Sequence, residues 1–176
     1  MLVPELSPIL RPIESTDHAA ILALNEANVE ALAPLDEPRL RELVDLADRA
    51  DVVDVSGRFA GFVLTFPPGT SYDADNYRWF RDRYSDRFYY LDRIVLDDAF
   101  RRRGLGAFVY DEMERVAAGH GRLALEVNVE PPNVPSLAFH RARGYTEVGR
   151  LTHGSKQVAL MAKDLMTKDL TAKERA

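Results

Sequence analysis

The six residues Arg101-Arg102-Arg103-Gly104-Leu105-Gly106 are the part of this chain whose types and spacing most plainly support chemistry. A β-rich run ending at Leu96 leads into them through Asp97-Asp98-Ala99-Phe100. A helical pattern with Leu105, Phe108, Val109, Met113 and Val116 follows at once. Two glycines at such a strand-to-helix turn let the backbone approach a ligand, and the first amides of a helix have no partner inside it. With the helix dipole behind them, those amides favour an anion such as a pyrophosphate. The turn lacks the Gly-Lys-Ser/Thr of a Walker loop and the third glycine of a dinucleotide fingerprint. Arg101, Arg102 and Arg103 are also the densest basic cluster of an otherwise acidic chain, which fits either a small anionic ligand or a solvated turn.

Positioning that turn requires a strand, a helix and a second parallel strand. Phe88 to Leu96 reads as a central strand and Gly104 to Ala118 as a helix. In Arg122 to Val129, Leu123, Leu125, Val127 and Val129 alternate with Ala124, Glu126 and Asn128, which predicts a strand parallel to the first. Before this unit lie a strand at Ile9 to Ile13, a helix carrying Ala20, Ile21, Leu24 and Ala27, and a break from Asn28 to Leu35. Then come a helix capped by Asp36 and a hairpin of Val52 to Val55 with Phe59 to Leu64. Ser71 to Asp86 is a polar, aromatic insertion expected to be partly helical. After the unit come a helix from Val134 to Arg143, ended by Gly144, and strands near Tyr145 to Leu151 and Gln157 to Leu165.

At 176 residues the chain suits one domain, expected over residues 1–165, with a polar tail at 166–176. Its 46% apolar and 29% charged residues are those of an ordinary globular protein. A net charge of -5, from 23 basic and 28 acidic residues, gives no field to attract a nucleic acid. The absence of cysteine excludes a disulfide, a thiolate metal site and a cysteine nucleophile, and the scattered His18, His120 and His153 suggest no metal. Neither a signal-like amino terminus nor an apolar run of about 18 residues is present, so a cytoplasmic location without a membrane partner is expected.

Two segments together carry a resemblance. The turn is similar to the coenzyme A pyrophosphate loop of the GNAT superfamily of N-acetyltransferases, Gln/Arg-x-x-Gly-x-Gly/Ala, with Arg101, Gly104 and Gly106 at its defined positions. Downstream, Asn133-Val134-Pro135-Ser136-Leu137-Ala138-Phe139-His140-Arg141-Ala142-Arg143-Gly144-Tyr145 resembles the second signature of that family, Asn-x-x-Ser/Ala-x-x-Phe-Tyr-x-x-x-Gly-Phe. The likeness spans roughly residues 9 to 165. More narrowly, Asn25-Glu26-Ala27-Asn28, Asn76-Tyr77-Arg78-Trp79-Phe80 and Asp92-Arg93-Ile94-Val95 resemble a group of predicted bacterial acetyltransferases.

The resemblance implies an α/β (α+β) fold: a mixed, mostly antiparallel sheet of six to seven strands with a central splayed parallel pair, and about four helices. It implies acetyl-CoA as co-substrate, no metal, and a small-molecule or peptide amine as acceptor. Amides of Arg102, Arg103, Gly104, Leu105, Gly106 and Ala107 would hold the pyrophosphate, and the strand edge at Ile94, Val95 and Leu96 would pair with the pantetheine. An amide near Leu96 would receive the oxyanion. Asn133 and Ser136 would contact the pantetheine or its phosphate side, and Phe139 would pack beside it or serve the core. Asn128 and Arg143 are expected on the coenzyme side, and Asn28, Tyr77, Trp79 and Tyr90 on the acceptor side.

For general base, strand alternation puts Asp92 on one face of its strand with Tyr90, Ile94 and Leu96, and Glu126 beside Asn128 on one face of the next. Both carboxylates remain candidates, as does a structural ion pair with Arg93. His140 stands where the family pattern has tyrosine. Its imidazole is a candidate general acid, with a helix-surface or capping role as the alternative. Acidic residues Asp36, Glu37, Asp73 and Asp75 in neighbouring loops suggest a cationic amine. Three further readings stay open: a coenzyme-binding sensor without catalysis, a longer acyl donor, and a homodimer joined through the Tyr77 to Phe80 aromatics.

Overall fold

Helices and strands follow the expected order in the computed structural model, which describes residues 7–166. They are β1 (Pro8–Pro12), α1 (His18–Ala27), α2 (Glu37–Leu46), β2 (Arg49–Val55), β3 (Arg58–Phe66), α3 (Asp75–Tyr84) and β4 (Tyr89–Leu96). After these come α4 (Leu105–Ala117), β5 (Arg122–Glu130), α5 (Val134–Ala142), β6 (Thr146–His153) and β7 (Lys156–Asp164). Among the described residues five α-helices stand where about four were expected, because the aromatic insertion forms a complete helix, α3. The first six residues and the tail beyond Met166 lie outside the described residues.

The seven strands run in the order β1-β2-β3-β4-β5-β7-β6. Pairing is antiparallel for β1 with β2, β2 with β3, β5 with β7 and β6 with β7. β4 pairs with β5 in parallel, at Tyr89↔Leu123 and Tyr90↔Ala124. A right-handed crossover helix is what two parallel neighbours need, and α4 supplies it. No helix among the described residues is long and apolar enough to cross a membrane.

The chain divides into two compact units. The first comprises the residues up to Phe66 together with Leu91–Asp111. Here α1 and α2 pack on β3, whose residues from Ala60 to Phe66 are all buried, so the run is apolar on both faces except at Thr65 instead of alternating. Each fully buried Phe or Leu in it contributes about 1.5–3 kcal/mol. Helix α2 starts where Asp36 accepts the amide of Arg39 at 2.9 Å. Arg11 grips Asp17 through two bonds of 2.8 Å, and this hydrogen-bonded guanidinium holds the Asp17 carboxyl below its usual range.

The second unit comprises Pro67–Tyr90 and the residues from Glu112 onward. In α3 the spacing of Tyr77 and Phe80 puts both rings on one face, fully buried. Tyr77 lies 5.7 Å from Tyr72, 5.4 Å from Phe88 and 5.6 Å from Tyr90, centroid to centroid. Of the aromatics read as a homodimer patch, Tyr77 and Phe80 are core, because burying two rings gains more than a polar loop could, while Trp79 is half-buried. Glu114 of α4 ties this unit together, accepting from Arg143 at 3.1 Å, Tyr145 at 3.0 Å and Lys163 at 3.0 Å.

Candidate active site

The turn between β4 and α4 belongs to the first unit. Gly104 has φ +76°, and a Cβ built on it meets nothing within 4 Å, so the space in front of it is open. Arg102 adopts φ +58°, a left-handed conformation that costs a non-glycine residue about 1–3 kcal/mol. Such strain is retained where a backbone must turn its amides to one side, as in an anion-binding nest. The first bond of α4 runs from the Phe108 amide to the Gly104 carbonyl at 3.0 Å. The amides of Leu105, Gly106 and Ala107 precede it and have no acceptor within the helix. Donors, dipole and open space coincide, which is what a diphosphate requires.

The strand leading into this turn is held from the other side by Gly61 of β3. A Cβ there would stand 2.2 Å from the carbonyl oxygen of Val95 and 3.0 Å from the Cα of Leu96, so only glycine permits the approach. The Asp97 amide donates to the Ala60 carbonyl at 2.9 Å and fixes the exit of β4. Sequence reasoning missed Gly61. Its signal was a lone glycine inside an apolar strand run.

Along β4 the alternation is as expected: Leu91, Arg93 and Val95 are buried, while Asp92, Ile94 and Leu96 are half-buried. The buried Arg93 donates from Nε to Asp92 at 2.7 Å and from Nη1 to the Asn25 side chain at 2.9 Å. Asn25, fully buried in α1, in turn donates to the Ala33 carbonyl at 3.1 Å. The ion pair anticipated as one alternative for Asp92 is thus present. Asn28 closes α1, its side chain donating to the Leu24 carbonyl at 2.8 Å.

In the second unit Glu126 is half-buried on β5 and accepts a hydrogen bond from the phenol of Tyr90 at 2.6 Å. Asn128, two residues on, accepts the Asn133 amide through its carbonyl at 3.0 Å. The Asn133 side chain then caps α5 at the Ser136 amide, 3.3 Å away. Phe139 is half-buried with the Arg143 guanidinium 5.8 Å from its centroid. Among the described residues there is no cluster of His, Cys, Asp and Glu that could hold a metal.

A sequence profile described as the acetyltransferase (GNAT) family matches residues 18–145. The chain belongs to the GNAT family of acetyltransferases. No curated protein matches it in sequence. In fold it is similar to Ard1 from Thermoplasma volcanium, with 15% identity and a TM-score of 0.72 over 91% of this chain and 99% of that one. It is also similar to a ribosomal-protein-alanine N-acetyltransferase from Brucella melitensis, with 19% identity and a TM-score of 0.66 over 89% and 99%. A third similar structure is yncA from Salmonella typhimurium, which holds its cofactor acetyl-CoA, with 15% identity and a TM-score of 0.66 over 92% and 95%.

His140, the departure from the GNAT pattern, is 5% exposed on α5. Its Nδ1–H donates to the Ser136 carbonyl at 2.7 Å. Burial pushes its pKa below the ordinary 6.5, the Ser136 carbonyl opposes this, and the Arg143 cation adds to it. The imidazole is therefore neutral at pH 7, and the protonated form that an acid needs is scarce. Between pH 6.5 and the lower folded value, the unfolded chain takes up a proton that the folded chain refuses, so stability falls as pH drops through that window. Melting temperatures measured from pH 7.5 down to 5.5 are expected to decline in the wild type and to flatten in His140→Gln. An unchanged slope in that variant would remove the buried neutral imidazole as its cause.

On the expected acceptor side of this GNAT chain, the Tyr77 hydroxyl donates to the Pro67 carbonyl at 2.7 Å and accepts from the Thr70 amide at 3.1 Å. With no exposed surface, that ring belongs to the core and cannot meet a solvent-borne amine directly. Trp79 packs against Gly149, where a Cβ would come within 2.5 Å of the indole. Among the acidic loop residues, Glu37 binds His18 and Arg41, each at 2.8 Å, and Asp75 binds Arg78. Much of that acidic charge is neutralised locally.

Proposed function

We propose that this GNAT chain is an N-acyltransferase that moves an acetyl group from acetyl-CoA to a primary amine by direct attack in a ternary complex. The observation that carries the reading is the turn at residues 101–107, with helix-opening amides behind a glycine that faces open space. A coenzyme diphosphate is the anion such a turn suits.

When bound, acetyl-CoA supplies the thioester carbonyl that the amine attacks and the thiolate that leaves. The chain's own groups have three tasks. Amides of residues 102–107 hold the diphosphate, while the β4 edge at Ile94 to Leu96 aligns the pantetheine and an amide near Leu96 stabilises the oxyanion. Glu126, steadied by Tyr90, removes the proton of the amine. Asp92 is less suited, since its carboxylate is engaged by a guanidinium instead of awaiting an ammonium. A thiolate with a pKa of roughly 8.5 needs little help to leave. His140 then serves to hold the first turn of α5 through its bond to the Ser136 carbonyl.

Two measurements on one sample test this. Acetyl-CoA at about a hundred times its dissociation constant is expected to stabilise the chain by about 2.7 kcal/mol. That corresponds to a melting rise of roughly 5–10 °C. A panel of amines with acetyl and longer acyl thioesters is expected to release free thiol, fastest with acetyl-CoA and a primary amine. Stabilisation without thiol release from any amine would make the chain a coenzyme sensor, and no stabilisation would remove the coenzyme reading.

A further inference from the structure

We infer that Arg58 and Arg103, with Arg102 next in the turn, form a seat for a phosphomonoester, the 3′-phosphate of coenzyme A. This rests on the reading above that the turn at 101–107 takes the coenzyme diphosphate.

Arg58 opens β3 and Arg103 lies in the turn after β4, so they are far apart in sequence, yet they share one platform. Their guanidinium carbons lie 5.0 and 5.8 Å from the centroid of the Phe100 ring. Phe100 itself is 4% exposed and therefore a fixed surface. A guanidinium laid against an aromatic ring keeps its N–H groups at its edge, where they can grip two phosphate oxygens at once.

Charge pairing separates these residues from their neighbour in the turn. Arg101, beside them, is neutralised by Asp98 at 2.6 Å. Arg11, Arg93, Arg115 and Arg143 likewise have carboxylate partners. Among the described residues no carboxylate lies within salt-bridge distance of Arg58, Arg102 or Arg103, and all three are exposed. Like charges gathered on one ring without a counter-ion repel each other, which is tolerable when an anion regularly sits among them. The diphosphate has the main-chain amides. A phosphomonoester brings a further charge of about -1.5 to -2, which two guanidinium groups match. In coenzyme A that group is on the ribose whose 5′ carbon bears the diphosphate, so docking one on the cradle brings the other to its rim.

The test compares acetyl-CoA with its dephospho form, which has a 3′-hydroxyl, by calorimetry on wild type, Arg58→Ala and Arg58→Ala/Arg103→Ala. The wild type is expected to prefer the phosphorylated form by about tenfold or more at low salt, the worth of one charge-assisted contact. Arg58→Ala should lose most of that preference while binding the dephospho form as the wild type does. The double variant should discriminate least, and salt should erode the wild-type preference. Equal wild-type affinity for the two forms would overturn the inference and leave the diphosphate cradle standing. So would a preference that survives in the double variant. Failure of both forms to bind would bring down the cradle reading and this inference with it. Circular dichroism of each variant separates loss of binding from loss of folding.

Discussion

Glu126→Gln is expected to slow acetyl transfer by about 10²–10⁴-fold, the usual worth of a positioned general base, while acetyl-CoA still binds. The substitution keeps the volume and leaves an oxygen for the Tyr90 phenol, which now stands 2.6 Å from the carboxylate. It removes only the capacity to take a proton. Asp92→Asn is the comparison that decides between the two carboxylates. Because Asp92 is held by Arg93 at 2.7 Å, its neutralisation should show first as lost stability, the breaking of a buried ion pair costing about 3–5 kcal/mol. If the asparagine variant lost the rate and the glutamine variant kept it, the base would be Asp92 and the assignment above would be reversed.

Gly61→Val should have the second large effect. The new Cβ would meet the Val95 carbonyl at 2.2 Å, the Leu96 side chain at 2.9 Å and the Leu96 Cα at 3.0 Å. Two of those three are backbone atoms that cannot rotate aside, so β3 and β4 must part. Overpacking of this kind costs about 2–4 kcal/mol. A melting temperature lower by roughly 5–15 °C follows for a chain of this size. The displaced edge is also the one proposed to align the pantetheine, so the stabilisation by acetyl-CoA should shrink with it. A variant that melts and binds like the wild type would show that the close approach is neither tight nor used. Gly57 provides the contrast: a Cβ there meets nothing within 4 Å, though its φ of +79° still disfavours a side chain.

Much of the fold was legible because its signals are local. Asp36 capped α2 as the spacing required, the Ser56-Gly57 turn joined β2 to β3, and alternation in β4 put Arg93 on the face opposite Ile94 and Leu96. The turn at 101–107 was legible for the same reason, since glycine placement and the start of a helix lie within a few residues of each other. Even the narrower resemblance acquires a physical content, because its separate fragments contribute Asn25 and Arg93, which bond at 2.9 Å.

What spacing could not supply was the partner of each polar group. Asp92 and Glu126 looked equivalent as candidates until one was found beside a guanidinium and the other beside a phenol 36 positions away. His140 read as either a general acid or a capping residue until its burial was known, and Tyr77 as an acceptor-side residue or part of an aromatic patch until its ring was found among three others. Arg58 gave no sign at all, being brought to Phe100 by the return of β3 alongside β4. Periodicity and turn chemistry act over the reach of one helical turn or one hairpin, so the order of residues fixes them. Ionisation, exposure and close approach depend on what the folded chain sets opposite each side chain, and the linear order does not contain that neighbour.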